Sequence, residues 1–237
     1  MMNIFLSFNI CFLAVGLLVN LPGEKEAVGD TLKPAAIIER YIKAVGGMKN
    51  INKIKTMMMV MEAEVEGMEI EMSIGRDIER KRLIEQTIIN GNVVQKTVVK
   101  GNQGYINAMG QSQGLRGDQL EAVKTNLYII PEIHYEKLGF SLELGEPIEI
   151  GGERAHTVVV TTPTGIQSRE YFSMKSGLKL GSSSELTGEF EFSDYEEVED
   201  VLFPMTIHVI NPQLPFPLES RVVSIEVNGP MDDSLFE

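Results

Sequence analysis

Thr56-Met57-Met58-Met59-Val60-Met61-Glu62-Ala63-Glu64-Val65-Glu66-Gly67-Met68-Glu69-Ile70-Glu71-Met72-Ser73-Ile74 is the stretch that decides the fold. Its period is two. Met57, Met59, Met61, Ala63 and Val65 share one face of an extended chain, while Met58, Val60, Glu62, Glu64 and Glu66 share the other. Gly67 turns the chain, and Met68, Ile70, Met72 and Ile74 then alternate with Glu69, Glu71 and Ser73. The pattern predicts an antiparallel hairpin with one buried apolar face and one wet acidic face.

Upstream the period is helical. Pro34 suits a first turn, where its missing N–H costs nothing, and Ile37, Ile38, Tyr41, Ile42 and Val45 form one apolar stripe that Gly46-Gly47 ends. Met48, Ile51 and Ile54 suggest a second short helical turn. Downstream, strands are expected at 80–89, 93–100, 104–108, 140–144, 148–150, 155–162, 167–173, 178–184, 189–194, 205–210 and 220–228. Residues 110–117 read as a polar loop, and Asp118 as the cap of a helix carrying Leu120, Val123 and Leu127 that Pro131 ends. Repeats and Pro/Gly/Ser-rich linkers are not seen, so residues 30–237 are expected to form one domain. The predicted class is α+β and mainly β: a single curved antiparallel sheet making an incomplete barrel, its concave face covered by helices.

The first 23 residues contain no Asp, Glu, Lys or Arg, and Ile10 to Val19 is unbroken apolar sequence, the length of a signal-peptide core. Residues 1–29 are expected to be an export signal, with an uncleaved N-terminal anchor as the alternative. The expected location is the periplasm or cell envelope. Cys11, the single cysteine, lies inside that run, so a processed chain has neither disulfide nor thiolate ligand. The 21 Lys+Arg against 34 Asp+Glu give a net charge of -13, which argues against nucleic acid as a partner.

Catalytic patterns are weak. Gly110-Gln111-Ser112-Gln113-Gly114 matches a nucleophile elbow in letters, but the elbow needs a strand before the serine and a helix directly after it. The three histidines, His134, His156 and His208, lack the spacing of a zinc site. The acidic run 194–200 lacks the central glycine of a calcium loop. Neither an enzyme activity nor a cofactor or metal is expected. Six of the 13 methionines lie between Met57 and Met72. Their unbranched, polarizable side chains repack around flexible apolar ligands, and ordinary core packing explains them equally.

The order of elements resembles the LolA/LolB-like superfamily of periplasmic lipoprotein carriers and outer-membrane lipoprotein-sorting proteins. The stretches that carry the likeness are Ile37-Ile38-Glu39-Arg40-Tyr41-Ile42-Lys43-Ala44-Val45-Gly46-Gly47, Lys100-Gly101-Asn102-Gln103-Gly104-Tyr105, Ser193-Asp194-Tyr195 with Val201-Leu202-Phe203-Pro204, and Ser224-Ile225-Glu226-Val227-Asn228 with the Phe236 tail. The resemblance implies a hydrophobic cavity for acyl chains between sheet and helices. It makes a lipid or an acylated lipoprotein the expected ligand and an envelope protein a further partner. Met57, Met59, Met61, Met68, Ile70 and Met72 are the candidate cavity residues. Arg80 and Arg82, early in the sheet, stand as candidates for the carriers' cavity arginine. The alternative is a non-catalytic scaffold that uses the same sheet for protein contacts.

Overall fold

The structure, a computed structural model, describes residues 32–211 and 217–237. The expected export segment, 1–29, lies outside the described residues. The helix α1 (Pro34–Ala44) has Pro34 in its first turn and buries Ile37, Ile38 and Tyr41. It breaks at Gly46, whose φ of 125° only glycine adopts readily. The short α2 (Gly47–Ile51) follows.

The first meander is β1 (Thr56–Val65), β2 (Met68–Asp77), β3 (Arg82–Ile89), β4 (Asn92–Lys100), β5 (Gln103–Ala108) and β6 (Gln111–Leu115). The helix α3 (Gly117–Thr125) and a one-turn 3-10 helix, Pro131–His134, lead to a second meander. It runs β7 (Ser141–Ile150), β8 (Glu153–Thr161), β9 (Gln167–Ser173), β10 (Lys179–Ser184), β11 (Gly188–Val198), β12 (Val201–Ile210) and β13 (Leu218–Val227).

All 13 strands form one sheet in the order β6-β5-β4-β3-β2-β1-β13-β12-β11-β10-β9-β8-β7. Antiparallel pairing of β1 with β13 joins the meanders, and β6 and β7 remain as the two edges, so the barrel is incomplete. The chain must travel from one edge to the other between β6 and β7. It does so across the sheet: Leu120, Val123 and Leu127 of α3 and its following turn pack on Leu83, Val99 and Leu115, while Ile130 and Tyr135 join the cluster under α1.

Register sets the faces. Met57, Met59, Met61, Ala63 and Val65 stand opposite Arg76, Ile74, Met72, Ile70 and Met68, and residues directly opposite in an antiparallel pair share a face. That face is the inner one, because Met57, Met59 and Met61 pack with Ile37, Ile38, Tyr41 and Val45 of the α1 segment. Glu62 opposite Glu71 and Glu64 opposite Glu69 stand on the outer face. The tail, ending in the one-turn 3-10 helix Asp233–Phe236, folds back over that outer face and places Phe236 on Ile84 and Val98.

Several sequence expectations need correction. Residues 110–117 are no loop, since Gln111 to Leu115 form the edge strand β6 against β5. The strands expected at 140–144 and 148–150 are one strand, β7, with a bulge between Gly145 and Ile148. Asp118 lies in the first turn of α3, whose N-cap is Arg116, with no side-chain cap. The strand expected at 189–194 runs on through the acidic stretch as far as Val198, before the turn at Glu199-Asp200.

Candidate functional site

All six candidate residues, Met57, Met59, Met61, Met68, Ile70 and Met72, stand on the inner face of the β1–β2 hairpin. The structure divides them between two regions. Met57, Met59 and Met61 lie under α1, with Met57 only 2% exposed. Ile70 belongs to a separate cluster with Ala63 and Leu218, to which Val65, Ile89 and Val209 add contacts. That second cluster is built of strand residues alone. Met72 packs against both clusters, and half-buried Met68 sits opposite Val65 at the hairpin tip. The apolar inner face therefore continues past the helical cover.

An open hollow beneath α1, which the resemblance implies, is not found among the described residues. The side chains of Ile37, Ile38, Tyr41 and Val45 occupy that space themselves, packed on Phe172, Val158 and Phe203 as well as on the methionines. The reason is steric. A helix with a wide apolar stripe fills a curved sheet as effectively as a ligand would.

Among the described residues, two of the solvent-open hollows lie elsewhere. One, of about 580 Å³, lies where β12 and β13 diverge; these strands pair only over Thr206–Val209 and Leu218–Arg221. Ser193, Asp194, Thr206 and Arg221 line it, with Met205 and Val222, which also contact the main core, among its walls. The other, of about 220 Å³, lies against Met58, Met231 and Leu235 under the tail.

Two polar groups interrupt the inner face, and sequence reading missed both. Arg76, opposite Met57, donates from Nε to the backbone carbonyl oxygen of Asn126 at 2.6 Å. Asn126 donates from Nδ2 to Glu85 Oε1 at 2.8 Å. Burial lowers the Arg76 pKa to about 10, with Glu85 acting against it, and burial raises that of Glu85. Arg76 Nη1 is buried without a hydrogen-bond partner. On the other meander, Lys179 bridges Glu132 of the Pro131–His134 turn and Glu170 of β9.

Arg80 and Arg82 do not face inward. Arg82 stands opposite Asp77 on the outer face, pairs with Asp77 at 2.7 Å and Asp233 at 2.6 Å, and covers the Phe236 ring at 4.3 Å. The inner-face arginine is Arg76. Its signal was present in the alternation, because it continues the set Met68, Ile70, Met72 and Ile74.

Ser112 lies inside β6 opposite Asn107, so the strand-to-helix turn of an elbow is not built there. His134 stacks on Tyr128 at 3.8 Å, while His156 and His208 sit in β8 and β12. Among the described residues no three His, Cys, Asp or Glu side chains gather as metal ligands, and no helix is long and apolar enough to cross a membrane.

No protein-family model and no curated protein sequence matches the chain. Solved structures do. A LolA superfamily protein from Nitrosomonas europaea aligns with a TM-score of 0.55 at 9% identity, over 87% of this chain and 98% of that one. The chain has the LolA-like fold. A putative outer membrane lipoprotein-sorting protein domain from Vibrio parahaemolyticus shares this LolA-like fold at a TM-score of 0.52 and 8% identity, covering 84% of this chain and 97% of its own. A DUF1329 family protein from Desulfovibrio piger gives 0.56 at 10% identity, over 86% and 97%. At such identities the LolA-like likeness is one of fold.

Proposed function

We propose that this chain is an exported envelope protein that shelters the acyl chain of a lipid or lipoprotein on the inner face of its sheet, as a non-enzymatic carrier. The observation that carries the reading is the apolar inner face running from Met57 past the end of the helical cover to Ile70, Leu218 and Val209. The lipoprotein-sorting name of the Vibrio relative and the superfamily of the Nitrosomonas relative agree with it.

The mechanism is an exchange. An acyl chain takes the places of Ile37, Ile38, Tyr41 and Val45 as α1 swings away and lies along the sheet toward Ala63, Ile70 and Leu218, which are buried in the closed state. Each of the displaced side chains contributes about 2 kcal/mol by burial, and each buried CH2 about 0.8 kcal/mol, so roughly ten methylenes offset the displaced helix stripe. A longer acyl chain favours the loaded state. Short apolar molecules do not.

Organic extraction of the purified protein followed by mass spectrometry tests the reading, with copurifying acyl lipid expected. Met72→Glu, at the junction of both clusters, should abolish uptake of a long-chain alkyl probe while the protein stays folded. A preparation that yields no lipid and binds no alkyl probe removes the carrier reading in favour of a protein scaffold.

A further inference from the structure

Three charged groups on the inner face have no part in holding an acyl chain. Lys179 Nζ of β10 lies 2.8 Å from Glu132 Oε1 and 3.2 Å from Glu170 Oε1, and the three side chains are 13%, 4% and 6% exposed. Glu132 belongs to the Pro131–His134 turn, and Glu170 to β9. Tyr135, just after that turn, donates its hydroxyl to Glu170 Oε1. Tyr195 of β11 donates to the Lys179 carbonyl oxygen at 2.6 Å, and Tyr41 of α1 completes the ring of titratable groups. The second oxygen of each carboxylate, Glu132 Oε2 and Glu170 Oε2, is buried with no hydrogen-bond partner.

One ammonium cannot neutralise two carboxylates. A net buried charge is costly, and each unpaired buried acceptor costs about 1–3 kcal/mol. Both carboxylates touch the same nitrogen, so they are neighbours. A single proton on Glu170 removes the excess charge and leaves Lys179 paired with the Glu132 carboxylate.

We propose that Glu170 holds a proton while the Pro131–His134 turn is docked, and that losing it releases the turn and uncovers the inner face. The purpose of such a latch rests on the carrier reading above; its existence does not.

The sign follows from the surroundings. Burial pushes the Glu170 carboxyl up, and it pushes the Tyr41 and Tyr135 hydroxyls well above their usual range. Burial works against the Lys179 ammonium, but Glu132 and Glu170 outweigh it and hold its pKa above the usual value. These tyrosines and the lysine keep their protons where Glu170 gives up its own, so Glu170 is the group among them that changes. An acid whose pKa rises on docking favours the docked state at low pH, and this advantage is lost as pH climbs from the ordinary carboxylate range through the raised value. Alkali therefore opens the latch. His134 on the same turn stacks on Tyr128 at 3.8 Å and is the titrating neighbour to control for.

The test places one thiol on the turn, Ile133→Cys with Cys11→Ser, and follows its alkylation between about pH 5.5 and 8.5, corrected for the thiolate fraction by the unfolded chain. The corrected rate should rise about tenfold or more, and it should stay flat in Glu170→Gln and in Glu132→Gln. His134→Phe should retain the rise. A flat rate in the parent, or the same rise in every variant, overturns the latch. If one glutamine variant fails to fold by circular dichroism, the other decides. Uptake of diphenylhexatriene, which carries no ionisable group, is measured in parallel. Gated labelling without uptake supports the latch and sinks the carrier reading, whereas uptake with ungated labelling does the reverse.

Discussion

Arg76 Nε donates to the backbone carbonyl oxygen of Asn126 at 2.6 Å, tying the end of α3 to the inner face of β2. The tie is a part-buried helix end turned inward. Asn126 is the C-cap of α3, where carbonyls lack partners within the helix, and Arg76 supplies a charge-assisted donor to one of them. Asn126 then spans the space between Arg76 and Glu85, which it also binds.

Arg76→Met should therefore destabilise the fold by about 2–4 kcal/mol, through a carbonyl left unpaired and a buried carboxylate deprived of its cation. Without Arg76 the Glu85 carboxyl moves further above its usual range, because the one charge lowering it is gone. A raised carboxyl loses stability as pH rises, so the deficit should grow from about pH 5 to pH 8. Urea unfolding at several pH values measures both. Parent-like midpoints throughout would show that the tie contributes nothing.

Phe236 is 0% exposed on the outer face, between Ile84 and Val98 and under the Arg82 guanidinium. Phe236→Ala should cost about 3–5 kcal/mol, the range for truncating a buried aromatic ring. Thermal unfolding should show a single transition at a lower midpoint. A change within about 0.5 kcal/mol would mean that the tail is dispensable.

Gly46 and Gly47 are neighbours with different reasons to be glycine. A Cβ at Gly46 would stand 2.3 Å from the Asp200 carbonyl oxygen, whereas one at Gly47 meets nothing within 4 Å. Gly46→Ala should cost more than about 2 kcal/mol through backbone strain and displacement of the β11–β12 turn. Gly47→Ala should cost about 1 kcal/mol, the price of a left-handed conformation. Equal costs would deny the close approach, and denaturant titration of the two variants decides.

Ser112→Ala should leave stability within about 0.5 kcal/mol and leave alkyl-probe binding unchanged, since the side chain stands exposed on the edge strand. Loss of a measured esterase activity in this variant would restore the hydrolase reading that the strand geometry disfavours.

The β1–β2 hairpin was legible, because the alternation of apolar residues with glutamate from Met61 to Met72 on both sides of Gly67 sets its register. Strand β6 was not. Gln111-Ser112-Gln113 carries no apolar alternation, and it becomes a strand through its backbone pairing with β5. Strand β7 looked interrupted because Gly145-Glu146-Pro147 has the composition of a turn, while a bulge carries the strand through it. The candidate methionines were placed on the correct face, but their division between a helix-covered and a strand-only region was out of reach. Glu132, Glu170 and Lys179 lie on three different elements, and no local pattern marks their meeting.

The sequence by itself determined the period of each segment, the face on which the methionines stand, the glycine that ends α1 and the curved sheet that these periods demand. Those are properties of neighbouring residues, set by backbone geometry and the alternation of side chains. The tertiary structure decided that α1 fills the hollow, that Arg76 rather than Arg82 faces it, and that two carboxylates share one lysine. Such relations depend on which distant elements dock across an open sheet, where long-range packing and the cost of burying charge outweigh any local preference.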